Sequence, residues 1–293
     1  MRATLSVLLT VAAMAVAVSA LADPPAPVVT VTAKPKPSPS LNHQTYAFVN
    51  DIAAQAPGES LVRWGAPICP YAVGLGSEQN AGIAHEIALV ANAASAPVAT
   101  TDCHPNFVVV VTSQPDRLLA AWRKRDPDLF GDGLPSDISR FLTKERPVRV
   151  WYNALRTTVD GEAITQDRTQ FYGAPTLSSF TLSRLRFETV LGLQSAIVVV
   201  DANQVQGFTI GQIADYAAMV GLAELNLDRD LGEAPTILRL FSAAAADRPA
   251  GMTDWDKGFL AGMYRSDQAS RLQRSTIAAS VSAAAAGSSS ASP

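Results

Sequence analysis

The chain has 293 residues, 48% of them hydrophobic, and a formal net charge of −3 with no long like-charged run. That composition supplies ample core for one large domain or two small ones. Neither a basic stripe nor interleaved aromatics appears, which excludes nucleic acid as a partner.

The chain opens with Arg2 and continues as a nearly unbroken run of small and apolar residues from Leu5 to Leu21, ending Ala20-Leu21-Ala22 before Asp23. This small-x-small ending is one that a signal peptidase accepts. A spanning helix needs about 20 apolar residues and usually a charged stop after them; this run is shorter and is followed by prolines. The expectation is a signal peptide over residues 1–22 and a protein of the periplasm or the cell exterior. An uncleaved anchor is the alternative, and would be the only membrane contact. No Cys stands at the cleavage point, which argues against a lipoprotein. Residues 23–40 contain Pro24, Pro25, Pro27, Pro35, Pro37 and Pro39 and read as a disordered linker of extended polyproline conformations. From about Ser275 the chain turns to Ala and Ser, so residues 275–293 read as a disordered low-complexity tail. The single globular domain is expected over 41–274.

Within that domain Tyr46, Phe48, Val49, Ile52 and Ala53 fall at helical spacing. Pro57-Gly58 marks a loop, and Trp64 to Gly76, with its prolines, glycines and Cys69, reads as another. A second helix is predicted from about Glu78 to Ala94, with Ile83, Ile87, Val90, Ala91 and Ala94 on one face. Phe107–Thr112 is β-branched and apolar on both faces, as in a strand inside a covered sheet. A helix through Leu118, Leu119 and Trp122 ends in Arg123-Lys124-Arg125, answered at once by Asp126 and Asp128. Another helix, about Asp137 to Lys144, precedes a strand at Val148–Tyr152. Residues 156–176 read as a hairpin or a mobile loop, and Ser195–Asp201 as a third strand. A helix over Ile210–Leu225 follows, capped by Thr209 and Gln212. After an irregular stretch to Pro249 comes a last helix, about Asp254 to Tyr264, where Thr253 and Asp256 are spaced as a capping box. Helices alternating with apolar strands predict an α/β or α+β fold, a mixed sheet covered by helices.

The two cysteines are Cys69 and Cys103. In an exported chain an isolated pair is most simply a disulfide, here tying the loop before the second helix to the strand after it. Closing about 34 residues, it would contribute about 3–4 kcal/mol. A Cys/His metal site with His85 or His104 is the alternative, but the spacing fits no zinc pattern. His85-Glu86 begins like a zinc helix, yet position 89 is Leu. No Gly-x-Ser-x-Gly elbow, Ser-x-x-Lys pair or phosphate loop is present. Arg149 and Trp151 alternate with Val148 and Val150 along their strand. With Tyr152, Arg184 and Arg186 they are the candidates to line a ligand groove, a strand edge or a buried ion pair being the plainer account.

Residues 195–265 resemble the catalytic half of the zincin metalloproteases, in particular the matrixin-like ones. There a strand leads into a helix reading His-Glu-x-x-His-x-x-Gly-x-x-His, then a turn containing Met and a further helix. Here the helix reads Ala214-Asp215-Tyr216-Ala217-Ala218-Met219-Val220-Gly221-Leu222-Ala223-Glu224, with the Gly in place. Met252 to Tyr264 fits the last helix, and Leu238 stands where the Met belongs. The resemblance implies a zincin-like scaffold and places Ala214, Ala218 and Glu224 at the zinc-ligand positions, with Asp215 at the general base. Two methyl groups cannot ligate zinc, and one carboxylate cannot make a tetrahedral site, so the implied scaffold lacks its metal. The core also resembles a family of exported alphaproteobacterial proteins. That resemblance rests on Arg63-Trp64, Cys69-Pro70, Cys103-His104-Pro105-Asn106, Arg146 to Asn153 and the segment after Ser195, and it implies no activity.

These residues lead to the expectation of a non-catalytic envelope domain without cofactor or metal, binding another protein, a peptide or a cell-wall component. The rival is a periplasmic hydrolase using Asp215, Glu224 and Asp256; a purely structural role is a third possibility. A carboxylate-lined cleft beside the 210–225 helix would favour the hydrolase, and a helix packed solid would favour the others.

Overall fold

A computed structural model describes residues 40–100, 102–131, 133–158 and 189–289. The signal segment, the linker up to Pro39, most of the predicted 156–176 loop, Arg184 and Arg186 lie outside the described residues.

Five strands form one mixed sheet: β1 (Arg63–Trp64), β2 (Pro70–Val73), β3 (Phe107–Thr112), β4 (Val148–Thr158) and β5 (Thr189–Asp201). β2 pairs with β3 and β3 with β5, all parallel, and the β2–β3 connection runs through helix α2 (Ser77–Ala94). β5 takes β4 as an antiparallel neighbour along one side, while the short β1 and then β3 share its other side. The fold is therefore α/β with one antiparallel strand at its border.

β5 is buried on both faces, which explains its continuous apolar run. Ala196, Val198 and Val200 enter the larger core with α1 (Leu41–Ile52), α2, α5 (Ile210–Leu222), α6 (Asp254–Arg265) and α7 (Gln273–Ser289). Ile197 and Val199 enter a smaller core with Leu119 of α3 (Pro115–Arg125), Phe130, and Ile138 and Phe141 of α4 (Pro135–Thr143). The predicted caps form: Thr209 accepts from the Gln212 amide, and Thr253 accepts from the Asp256 amide.

Three sequence readings are corrected. The Trp64–Gly76 stretch is not all loop, because β1 and β2 are drawn into the sheet by β5 and β3 despite the prolines. β4 and β5 run well past Tyr152 and before Ser195, as a long antiparallel pair with a register shift at Asn153/Ala154. The Ala/Ser-rich segment is not a tail through Ser289 but helix α7, with Ile277 and Val281 fully buried. Its small side chains are what the neighbouring helix requires. A Cβ on Gly258 of α6 would lie 2.8 Å from the Val281 Cα, and one on Gly262 2.9 Å from the Ile277 Cα.

Cys69 and Cys103 form the expected disulfide, with Cα atoms 6.0 Å apart. It joins the residue before β2 to the approach to β3, next to the parallel bridge between Ile68 and Val98. Among the described residues no helix is long and apolar enough to cross a membrane.

Candidate functional site

Helix α5 is packed solid. From Ile213 to Leu222 every residue but Asp215 is buried, with Ala214 at 1% exposure and Ala218 at 0%. Gly221 lets the helix sit on β3, since a Cβ there would fall 1.9 Å from the Phe107 ring. The last carbonyls of a helix have no partners within it, and here three aromatic side chains supply them. Trp64 Nε1 donates to Gly221 O at 2.8 Å and the Tyr264 hydroxyl to Leu222 O at 2.6 Å. The Tyr152 hydroxyl reaches both Val220 O and Ala223 O. Capped in this way, α5 stops at Leu222, and the chain continues extended through Glu224.

Zinc does not fit the implied positions. Ala214 and Ala218 put methyl groups into the apolar core, and Glu224 is engaged elsewhere, accepting from Gln55 Nε2 at 2.9 Å. Burial pushes the Glu224 carboxyl above its ordinary range and nearby Asp137 adds to the shift, against the Gln55 hydrogen bond. Among the described residues no group of three or more His, Cys, Asp or Glu side chains could hold a metal ion. His85 and His104 are exposed.

The hydrolase constellation is not assembled. Asp215 accepts from the Met252 amide at 2.8 Å and opens on a groove between α2 and α6. Glu224 opens on a different groove. Asp256 is fully buried, accepting from the Ile237 and Thr253 amides at 2.8 and 2.9 Å and from the Thr236 and Thr253 hydroxyls at 2.5 and 2.7 Å. Burial still outweighs these bonds and raises its pKa. The role of Asp256 is to fix the turn at Thr236–Leu238 against the start of α6.

Arg149 and Trp151 lie largely buried under α3 and α4, while both also line the groove described below. Arg149, 3% exposed, donates to Asp116 Oδ1 at 2.7 Å and Leu142 O at 2.9 Å. Trp151, 7% exposed, packs edge-on against Phe130 and donates to Asn153 Oδ1. The ion pair is buried on the arginine side alone, since the Asp116 side chain is 68% exposed.

A groove nonetheless follows this strand. It encloses about 750 Å³ between the Arg149–Tyr152 stretch of β4, α4 and the segment Glu224–Asp228. Asp201 N donates to Pro147 O, and in an antiparallel ladder the residues facing the neighbour alternate. The register then turns the amides of Arg149 and Trp151 toward β5 and those of Val148, Val150 and Tyr152 away from it. Among the described residues β4 pairs with β5 alone, so no described strand takes up the outward row. At one end of the groove Lys144 and Arg146 both donate to Oδ1 of Asp228. The Lys144 hydrogen bond is the main cause holding the Asp228 carboxyl below its ordinary range.

Sequence reasoning missed Lys144, Arg146, Tyr152 as a helix cap, and the Leu225–Asp228 wall. The one available signal was the pair of cations, Lys144 and Arg146, just before Pro147 at the strand entrance. No protein-family model, curated protein or solved structure matches the chain.

Proposed function

We propose that this is a non-catalytic domain of the bacterial periplasm, built on a degenerate zincin-like scaffold, that binds an extended segment of another polypeptide along the free edge of β4. One observation carries the reading: among the described residues the outer edge of β4 pairs with no strand, and a groove of about 750 Å³ runs along it. Such an edge is a template for an added strand, main-chain hydrogen bonds giving affinity and alternate side chains specificity. The scaffold reading draws support from the succession β5, α5, the turn at Thr236–Leu238 and α6. The non-catalytic part draws support from the solid packing of Ala214 and Ala218. The periplasmic location draws support from the Cys69–Cys103 disulfide and the apolar leader.

Proline tests the edge cleanly. At Val150 it removes an outward amide while leaving the ladder to β5 intact. The expected result for Val150→Pro is a native melting temperature with loss of binding to an extended probe peptide, read by fluorescence anisotropy. Unchanged binding contradicts the proposal.

A hydrolytic reading keeps one observation, the Glu224 carboxyl with its raised pKa beside Asp137 in the same groove. Incubating a probe peptide with wild type and Glu224→Gln, and following its length by mass spectrometry, separates the two. Cleavage by wild type alone would establish the hydrolase.

A further inference from the structure

Two cavities meet along the β4 edge. The groove of about 750 Å³ is lined by Val150 and Tyr152, and a second, of about 580 Å³, by Val148. Lys144, Arg146, Leu227 and Asp228 line both, and so stand where the two join. Lys144 and Arg146 come from the connection between α4 and β4, and Asp228 from the segment after α5. Their shared contact on one carboxylate oxygen makes a clasp across the groove. A segment that pairs with Val148, Val150 and Tyr152 at once has to cross this clasp.

The clasp can yield. The side chains of Lys144 and Asp228 are 44% and 43% exposed, and exposed ion pairs hold weakly. Displacing Asp228, however, strands an ammonium and a guanidinium, the latter only 21% exposed. An occupant that brings no negative charge leaves both unpaired, and one that brings a positive charge meets repulsion.

Resting on the reading of β4 as a peptide-binding edge, we propose that the bound segment is an extended peptide with an acidic side chain where it crosses the Lys144–Asp228–Arg146 clasp. The Asp228 carboxylate holds the place of that acid in the free protein. Asp228 is thus an internal competitor, and Lys144 and Arg146 set the specificity.

The test uses two fluorescein-labelled peptides of equal length, alternating Thr and Val, identical except for a central Glu or Lys. Anisotropy with the mature protein is expected to show the Glu peptide binding about tenfold tighter or better. Lys144→Gln combined with Arg146→Gln removes the difference, and Asp228→Asn tightens the Glu peptide further. Equal affinities, or a preference for Lys, overturn the proposal. If the two peptides bind alike and Val150→Pro abolishes both, the acidic specificity falls while the edge reading stands. If neither binds to wild type or to Asp228→Asn, both fall.

Discussion

At the start of α6, Asp256 accepts hydrogen bonds from two amides and two hydroxyls in a fully buried site. An amide in its place brings N–H donors to partners that are themselves donors. Asp256→Asn should therefore destabilise the fold by about 2–3 kcal/mol in urea unfolding. The same residue, with Glu224, gives stability a pH dependence of definite sign. Burial raises both carboxyls in the folded state, so the folded protein holds protons that the unfolded chain releases. Their contribution is greatest below the ordinary carboxylate value, about pH 4, and falls as pH rises through the raised folded values. Asp228 acts oppositely: lowered first by the Lys144 hydrogen bond, its contribution is full above the ordinary value and is lost on acidification. Urea midpoints measured across this range should decline with rising pH less steeply in Glu224→Gln than in wild type. An unchanged slope would show that Glu224 titrates as a free side chain.

At the scale of elements, α7 joins the fold through small residues. Truncating Ile277, which is fully buried, to Ala should cost about 2–5 kcal/mol. Gly258→Val, pressing on the Val281 backbone, should cost about 1–3 kcal/mol. Losses below about 0.5 kcal/mol in both would mean that α7 is not docked. This helix was illegible beforehand because Ala and Ser runs look alike whether they are solvated or packed; only the facing Gly258 and Gly262 decide. β1 and β2 were hidden for another reason, since two to four residues beside prolines make no periodic pattern, and partner strands recruit them. The elements with strong periodicity or β-branched runs were legible, among them α2, β3, the core of β5 and α6. The capping pairs Thr209/Gln212 and Thr253/Asp256 marked two helix starts.

For the whole molecule, the disulfide closes the β2–α2–β3 unit, and its loss should lower stability by about 3–4 kcal/mol. Comparing Cys69→Ser with Cys103→Ser as a double variant against oxidised wild type in urea measures this directly. The candidate site was far less legible than the fold. Its wall comes from Ala54, α4 and the α4–β4 connection, β4 and Glu224–Asp228, pieces far apart in sequence that carry no motif. Of the residues singled out in advance, Arg149, Trp151 and Glu224 line the groove, Arg149 and Trp151 while largely buried beneath α3 and α4, whereas Ala214 and Ala218 went into the larger core. The edge itself is a property of sheet topology: among the described residues β4 is outermost because β1 and β3 take the other side of β5. The most direct measurement is an NMR titration of the labelled mature protein with the acidic alternating peptide, following protein amides and peptide resonances together. The account predicts shifts concentrated at Val148–Tyr152 and Leu225–Asp228, with the peptide intact throughout. Shifts confined to the groove between α2 and α6, or a peptide that is cleaved, would contradict it.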